Sequence, residues 1–402
     1  MQSQILKKGS LVGGTLLVAG CCIGAGMLGL PVASAEAGFP PSIVMFFISW
    51  LFMLTTGLLL LEVNLWVGEE TSIVTMAKRT LGLPGKIASW FLFLFLFYCV
   101  LVAYVSASGQ LFTEFIQVTA GKSLPDSVGS LIFCIFFGLL LYLGTGAIDS
   151  FNRLLMFGLL ISYAVLVAIG GSQVNPQLLT RSNWSYATAV IPIAVFSFGF
   201  HNLVPSLTTY FKGDKKSLTL SILIGSAIPL AIYLVWEWII LGIVPLQDFK
   251  TALYKGDIVT EALKTTVGAS WILGFAQAFA FFAIITSFLS VALSFVDFLA
   301  DGLNVKRTPR GKLLLILLVL LPPFLCALVY PDIFLIALKT AGGFGSVLLF
   351  GILPALMVWK GRYILKLEDK SIVPGGRILL IAVIAFSLWV MALQFYNFMG
   401  DA

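Results

Sequence analysis

The sequence predicts an all-α polytopic membrane protein, on its composition, the length of its apolar runs and the placement of its basic residues. Of 402 residues, 59% are hydrophobic and only 10% charged, whereas a soluble domain carries about 25% charged residues. A helix crosses the bilayer core with about 20 apolar residues, and runs of that length recur along the chain. Continuous apolar stretches such as 91–98 and 313–321 lack the two-residue alternation of a membrane barrel. Irregular chain and open sheet would leave backbone groups unpaired in lipid.

Eleven spans are expected, at about 9–37, 40–66, 86–118, 127–145, 151–171, 186–211, 216–244, 266–303, 312–330, 332–359 and 377–399. The third and eighth exceed what a crossing needs, so they tilt or project beyond the membrane. Most of the 24 Lys and Arg fall in connections on one face, including Lys7, Lys8, Lys78, Arg79, Lys306, Arg307, Arg310 and Lys312. The opposite face holds few, such as Lys122 and Arg181. The positive-inside rule therefore puts the N-terminus in the cytoplasm of a bacterial inner membrane, and the odd span count puts the C-terminus outside.

The net charge of +6 is spread over short loops and is no nucleic-acid signature. No connection is long enough for a soluble domain, so residues 1–402 read as a single transmembrane domain working within the lipid bilayer. All five cysteines, Cys21, Cys22, Cys99, Cys134 and Cys326, lie in apolar segments, which argues against a disulfide framework. Val18-Ala19-Gly20-Cys21 after Lys7 and Lys8 mimics a lipoprotein cleavage site. The apolar run continues past it, so it reads as a first membrane helix.

The first span contains Gly20-Cys-Cys-Ile-Gly-Ala-Gly-Met-Leu-Gly-Leu-Pro31. Four glycines and a proline cannot sustain a uniform helix. Unwinding there frees N–H and C=O groups that another helix, water or a ligand must fill. Close packing of small residues is the alternative. The sixth span has a matching interruption in Val195-Phe-Ser-Phe-Gly-Phe-His-Asn-Leu-Val-Pro205. Paired broken helices at equivalent points of two halves mark an inverted-repeat transporter, and five spans per half force opposite topologies. Around the first break Cys22, Gly24, Ala25 and Gly26 are then candidates to bind substrate, since half-helix N-termini suit a carboxylate and freed carbonyls suit an ammonium or a cation.

Gly24-Ala-Gly-Met-Leu-Gly-Leu-Pro31, Leu61-Glu-Val-Asn-Leu65, Ser197-Phe-Gly-Phe-His201 and Thr286-Ser-Phe-Leu-Ser-Val-Ala-Leu-Ser-Phe-Val-Asp297 resemble the hydroxy and aromatic amino acid permeases of the amino acid–polyamine–organocation superfamily. The likeness covers nearly the whole chain. It implies the leucine-transporter fold, a 5 + 5 inverted repeat (about 9–171 and 186–359) plus an eleventh helix at about 377–399. It also implies uptake of an aromatic amino acid, tyrosine first and tryptophan second, driven by an ion gradient, usually of protons.

Several side chains are candidates for the chemistry. His201, the single histidine, either relays a coupling proton or pins the sixth-span break by hydrogen bonds. Glu62, near the end of the second span, is costly there without a partner. It serves as a protonation site or, preferably, as a brace accepting hydrogen bonds from the broken helices. Thr286 and Ser287 are adjacent hydroxyls on the eighth span. In the fold that the resemblance implies, such a pair joins first-span carbonyls, here those of Gly20 and Ile23, to hold sodium. The absence of a lysine in the fifth span favours sodium over protons, while back-bonding to the preceding turn is the plainer role for the pair. Glu237 and Lys339 lie at matching depths and are expected to pair.

Tyr104, Phe198 and Phe200 are the candidates for stacking on a substrate ring, with Ser197 and Asn202 beside them. The Phe91–Phe97 alternation is read as lipid-facing or core. No phosphate loop is present, which argues against a primary pump, and no cofactor is expected. One histidine and scattered acids argue against an intramembrane enzyme. A channel does not need two matched breaks. A sodium-coupled neutral amino acid carrier of broader specificity is the main alternative to an aromatic amino acid symporter.

Overall fold

Apolar sequence without interior breakers winds into helices that run the full width of a bilayer, and the breakers fall where the helices end or bend. The structure, a computed structural model, describes residues 9–400 apart from 25, 69–70, 123, 256–257, 268–270, 307 and 368–370. Among the described residues there is no strand. Ten helices among them are long and apolar enough to cross a membrane, and a bent pair, counted as one span, brings the number to eleven.

That pair is α1 (Leu11–Cys22) and α2 (Gly26–Ser34), inclined at 54°. The second span is α3 (Phe39–Val67), followed by the short amphipathic α4 (Ile73–Leu81). The third to fifth spans are α5 (Leu83–Ala120), α6 (Asp126–Leu143) and α7 (Thr145–Gly170). After the one-turn α8 (Pro176–Leu179), the sixth span divides into α9 (Ile191–Ser197) and α10 (Val204–Tyr210). The seventh span is α11 (Lys215–Ile243), and the short helices α12 (Leu246–Lys255) and α13 (Val259–Val267) follow it. Spans eight and nine are α14 (Trp271–Gly302) and α15 (Pro309–Val329). The tenth runs from α16 (Phe334–Thr340) through a π-helical stretch, Ala341–Ile352, into α17 (Leu353–Lys360) and a final π turn. The last is α18 (Gly376–Gly400).

The expected ranges are close to these, with three differences. The fifth span begins at Thr145, because Gly144 alone turns the chain from α6 into α7. It does so at φ 98°, ψ −176°, a conformation closed to residues with a Cβ. The eighth span begins at Trp271, five residues later than expected. The tenth span continues to Leu365 and is wound as a π-helix in its middle, a geometry that concentrates at functional sites.

Packing brings α1 against α11, α7 against α14 and α5 against α6. Broad apolar faces remain exposed, with Leu139, Leu160 and Ile378 all more than half exposed. Such faces belong in lipid. The two breaks lie in the interior, where α2 packs on α9 and both α12 and α13 cover α2.

Candidate functional site

The breaks create the site. α1 stops at Cys22 because Ile23 turns extended, at φ −73° and ψ 106°, and helix resumes only at Gly26. A Cβ on Gly24 would sit 2.4 Å from the Ser287 hydroxyl, and one on Gly26 would sit 2.2 Å from that of Ser197. These two glycines let the broken chain press against the eighth and sixth spans. In the sixth span α9 stops at Ser197, and three residues pass before a single 3₁₀ turn, His201–Leu203, leads into α10.

The backbone groups freed at the first break are met by side chains of other spans. The Ser287 hydroxyl donates to the Ile23 carbonyl at 3.2 Å. The Tyr233 hydroxyl lies 2.6 Å from the Cys22 carbonyl and 3.0 Å from that of Ser197, so one phenol spans the C-terminal ends of both half-helices. One turn along the seventh span, the Trp236 indole N–H donates to the Met27 carbonyl at 3.0 Å. The Cys21 thiol approaches the Gly199 carbonyl at 3.7 Å and Asn202 Oδ1 at 3.5 Å, joining the two breaks directly.

Between the breaks is a cavity of about 80 Å³. Cys21, Cys22, Gly24 and Gly26 form one wall, and Phe196, Gly199 and Asn202 another. The third span adds Phe93, Leu96, Phe97, Val100 and Tyr104, and the tenth adds Ser346 and Phe350. Phe93, Phe97 and Asn202 also line a vestibule of about 890 Å³ that extends past Lys86, Trp90, Asp297 and Asp301. The cavity therefore opens toward the Lys- and Arg-rich end of the molecule.

Of the residues singled out in the sequence, Cys22, Gly24, Gly26, Tyr104 and Asn202 line this cavity. Ala25 lies outside the described residues. Ser197 returns its proton to the Ile193 carbonyl at 2.7 Å. Phe198 and Phe200 do not face the cavity. Phe198 packs on Tyr233 and Phe200 on His201, with ring centroids 5.3 and 5.0 Å apart. The inward positions are 196, 199 and 202, three apart, so the intervening aromatics point elsewhere. Phe93 and Phe97, read from sequence as lipid or core residues, line it instead.

His201 is fully buried behind Phe350, its ring stacked at 4.6 Å and 13°. Its Nε2 lies 2.9 Å from the Thr56 hydroxyl, and its Nδ1 has no hydrogen-bond partner. Thr286 back-bonds to the Phe282 carbonyl at 2.8 Å, and only its neighbour Ser287 reaches the first span. A Cβ on Gly20 would meet nothing, and that residue lies inside α1, before the break.

Glu62 has a partner other than the one expected. Arg362, from the end of the tenth span, donates Nε and Nη2 to its two oxygens at 2.6 and 2.7 Å, and the Ile372 N–H adds a bond of 2.7 Å. Such bidentate pairing satisfies a buried carboxylate. The nearby Asn64, not Glu62, reaches the sixth span, accepting from Thr208 at 3.2 Å. The expected pairing of Glu237 with Lys339 is not made by hydrogen bonds, since both Glu237 oxygens lack hydrogen-bond partners. Sequence reasoning also missed Tyr233, Trp236, Ser346 and Phe350. The only signal for the first two is their three-residue spacing, which puts them on one face of α11.

Two interrupted helices meeting at a mostly apolar cavity, in a chain of helices long enough to span a membrane, define a carrier-type membrane protein. The comparisons make the class definite. The tryptophan/tyrosine permease family profile matches residues 7–394, and the chain belongs to that family. It is 32% identical to the tyrosine-specific transport system 1 of Haemophilus influenzae over 96% of each chain. It is 30% identical to the tryptophan-specific transport protein of Pseudomonas aeruginosa, over 89% of this chain and 87% of that one. It is 31% identical to the low affinity tryptophan permease of Escherichia coli, over 99% and 98%.

Proposed function

We propose that this protein is a secondary active symporter that imports an aromatic amino acid, tyrosine first and tryptophan second, across the bacterial inner membrane. The observation that carries this reading is the cavity between the two breaks, where unwound backbone meets the rings of Phe93, Phe97, Phe196 and Phe350. The N-terminus of α2 suits the substrate carboxylate, and the carbonyls of Cys22 and Ile23 suit its ammonium. The aromatic walls suit its ring. Relatives named for tyrosine and for tryptophan transport support the substrate class.

Transport proceeds by alternating access within a 5 + 5 inverted repeat plus one helix. With the N-terminus cytoplasmic, the vestibule beside Lys86 is the cytoplasmic exit, so the state described is open inward. The coupling cation is a proton or sodium. Sodium would compete with the Ser287 hydroxyl for the Ile23 carbonyl, and that contact also favours the second reading, a sodium-coupled carrier of broader neutral amino acids. His201 pins the sixth-span break through Thr56, and Glu62 with Arg362 braces the inner end of spans two and ten.

Counterflow of labelled tyrosine and tryptophan into proteoliposomes tests the proposal. Exchange of either without a driving force is expected, with unlabelled leucine a poor competitor. Equal competition by leucine moves the reading to the broader carrier, and no exchange of any amino acid contradicts both. Uptake at fixed pH with and without sodium distinguishes the cations.

A further inference from the structure

Serine and threonine side chains inside a helix ordinarily give their proton to the carbonyl one turn back, and this chain follows that rule widely. Ser34 donates to Leu30, Ser197 to Ile193, Thr208 to Val204, Ser290 to Thr286 and Ser387 to Val383, all at 2.7–3.0 Å. Ser346 does not. It is 1% exposed, and its hydroxyl has no hydrogen-bond partner. Its position explains why. It stands in the middle of the π-helical stretch Ala341–Ile352, where the wider winding moves the usual carbonyl acceptor out of register.

Burying a hydroxyl without a partner is unfavourable, so the site has an open valence. Of the buried unpartnered side-chain atoms among the described residues, the Ser346 hydroxyl alone belongs to a residue lining the central cavity. Its neighbour Gly345 lies against Leu96 of the third span: a Cβ there would come 2.9 Å from the Leu96 side chain. Ser346 thus sits at the level of Leu96. Tyr104, beside Gly24 and Ser287, is eight residues further along α5, about 12 Å away along the axis. Polar groups therefore stand at two levels of the cavity, the unwound first span near Tyr104 and the Ser346 hydroxyl near Leu96. Phe97 and Val100 line it between them.

We propose that the Ser346 hydroxyl hydrogen-bonds the polar atom on the substrate's ring, the phenol oxygen of tyrosine or the indole N–H of tryptophan. Ser346 is then a specificity-determining residue that discriminates against phenylalanine. This rests on the reading that the cavity takes an aromatic amino acid with its charged groups at the first-span break. A hydroxyl both donates and accepts, so one serine serves either ring. Sites built to bond a ring substituent reject the analogue that lacks it, because the site's own polar group is then left unpaired.

The test is counterflow uptake of labelled tyrosine, tryptophan and phenylalanine by the wild-type protein and by Ser346→Ala, Ser346→Thr and Ser346→Cys in proteoliposomes. The wild type is expected to prefer tyrosine or tryptophan over phenylalanine. Ser346→Ala should shrink that preference about tenfold by raising KM for the preferred substrate only, and Ser346→Thr should restore it. Ser346→Cys, close in volume and a weak donor, should fall between and serves if the alanine protein does not fold. Losing all three substrates by one factor, or an unchanged preference in Ser346→Ala and Ser346→Cys, overturns the proposal. A wild type that carries phenylalanine as well as tyrosine and tryptophan also overturns it while leaving the function intact. A wild type that carries none of the three refutes the functional reading itself.

Discussion

The two helix breaks meet at one cavity but are held in different ways. At the first-span break, the freed carbonyls of Cys22 and Ile23 accept from single hydroxyls, Tyr233 and Ser287, each reaching across from another span. At the sixth-span break, the chain closes around a buried imidazole, stacked between Phe200 and Phe350 and anchored to Thr56. Phe200 in turn fills the space over Gly57, where a Cβ would meet its ring at 2.4 Å. Single hydrogen bonds exchange readily with a ligand's groups, whereas a stacked and buried ring does not. The first break therefore carries the more readily exchanged backbone contacts, and the sixth is the more firmly filled.

Substitutions that invade the first break should do the most damage. Gly26→Ala puts a Cβ 3.1 Å from the Ser197 Cα as well as against its hydroxyl, and backbone cannot move aside as a side chain can. Uptake should fall at least about 100-fold, since misplacement of a binding group by about 1 Å carries that cost; proteoliposome uptake measures it. Tyr233→Phe removes the hydroxyl shared by the Cys22 and Ser197 carbonyls. An unpaired buried acceptor costs about 1–3 kcal/mol, which should appear as a lower Tm and about tenfold weaker uptake. Ser287→Ala should lower Tm little, because the Ile23 carbonyl lies beside the cavity and can take water. If sodium is the coupling ion, its activation of uptake should shift to about tenfold higher concentration.

Changes at the sixth break should be milder in transport than in stability. His201→Gln retains a group for Thr56 but loses two stacking contacts, each worth about 0.5–1.5 kcal/mol. Tm should fall, while accumulation driven by a pH gradient persists at a reduced rate. Abolished pH-driven accumulation with unchanged counterflow would make the histidine a proton relay and reverse the comparison.

Much of this was legible in the sequence because bilayer thickness fixes helix length, and glycine and proline report where helices fail. The spans and both breaks follow from those two facts. Side-chain direction beyond a break does not. Once residues 198–200 leave helical geometry, the phase that would aim Phe196 inward and Phe198 away is lost. Phe93 and Phe97 were illegible for another reason: in a helix that is apolar all round, periodicity cannot separate a cavity wall from a lipid face. Arg362 finds Glu62 across 300 residues of chain, and no local pattern announces such a partner. Ser346 is distinguished only by the π winding of its helix, which a run of small and apolar residues does not reveal.

The central claim is that the cavity at the first break holds the substrate, and Cys21 reports on it directly. The thiol lines the cavity and lies between the two breaks, while Cys326 on the ninth span is exposed elsewhere. In variants keeping only one of these cysteines, labelling by a small methanethiosulfonate reagent is followed with and without the amino acid the protein transports. Slowed labelling at Cys21 with no change at Cys326 is the predicted result. Equal labelling of Cys21 with and without saturating transported substrate would contradict the account.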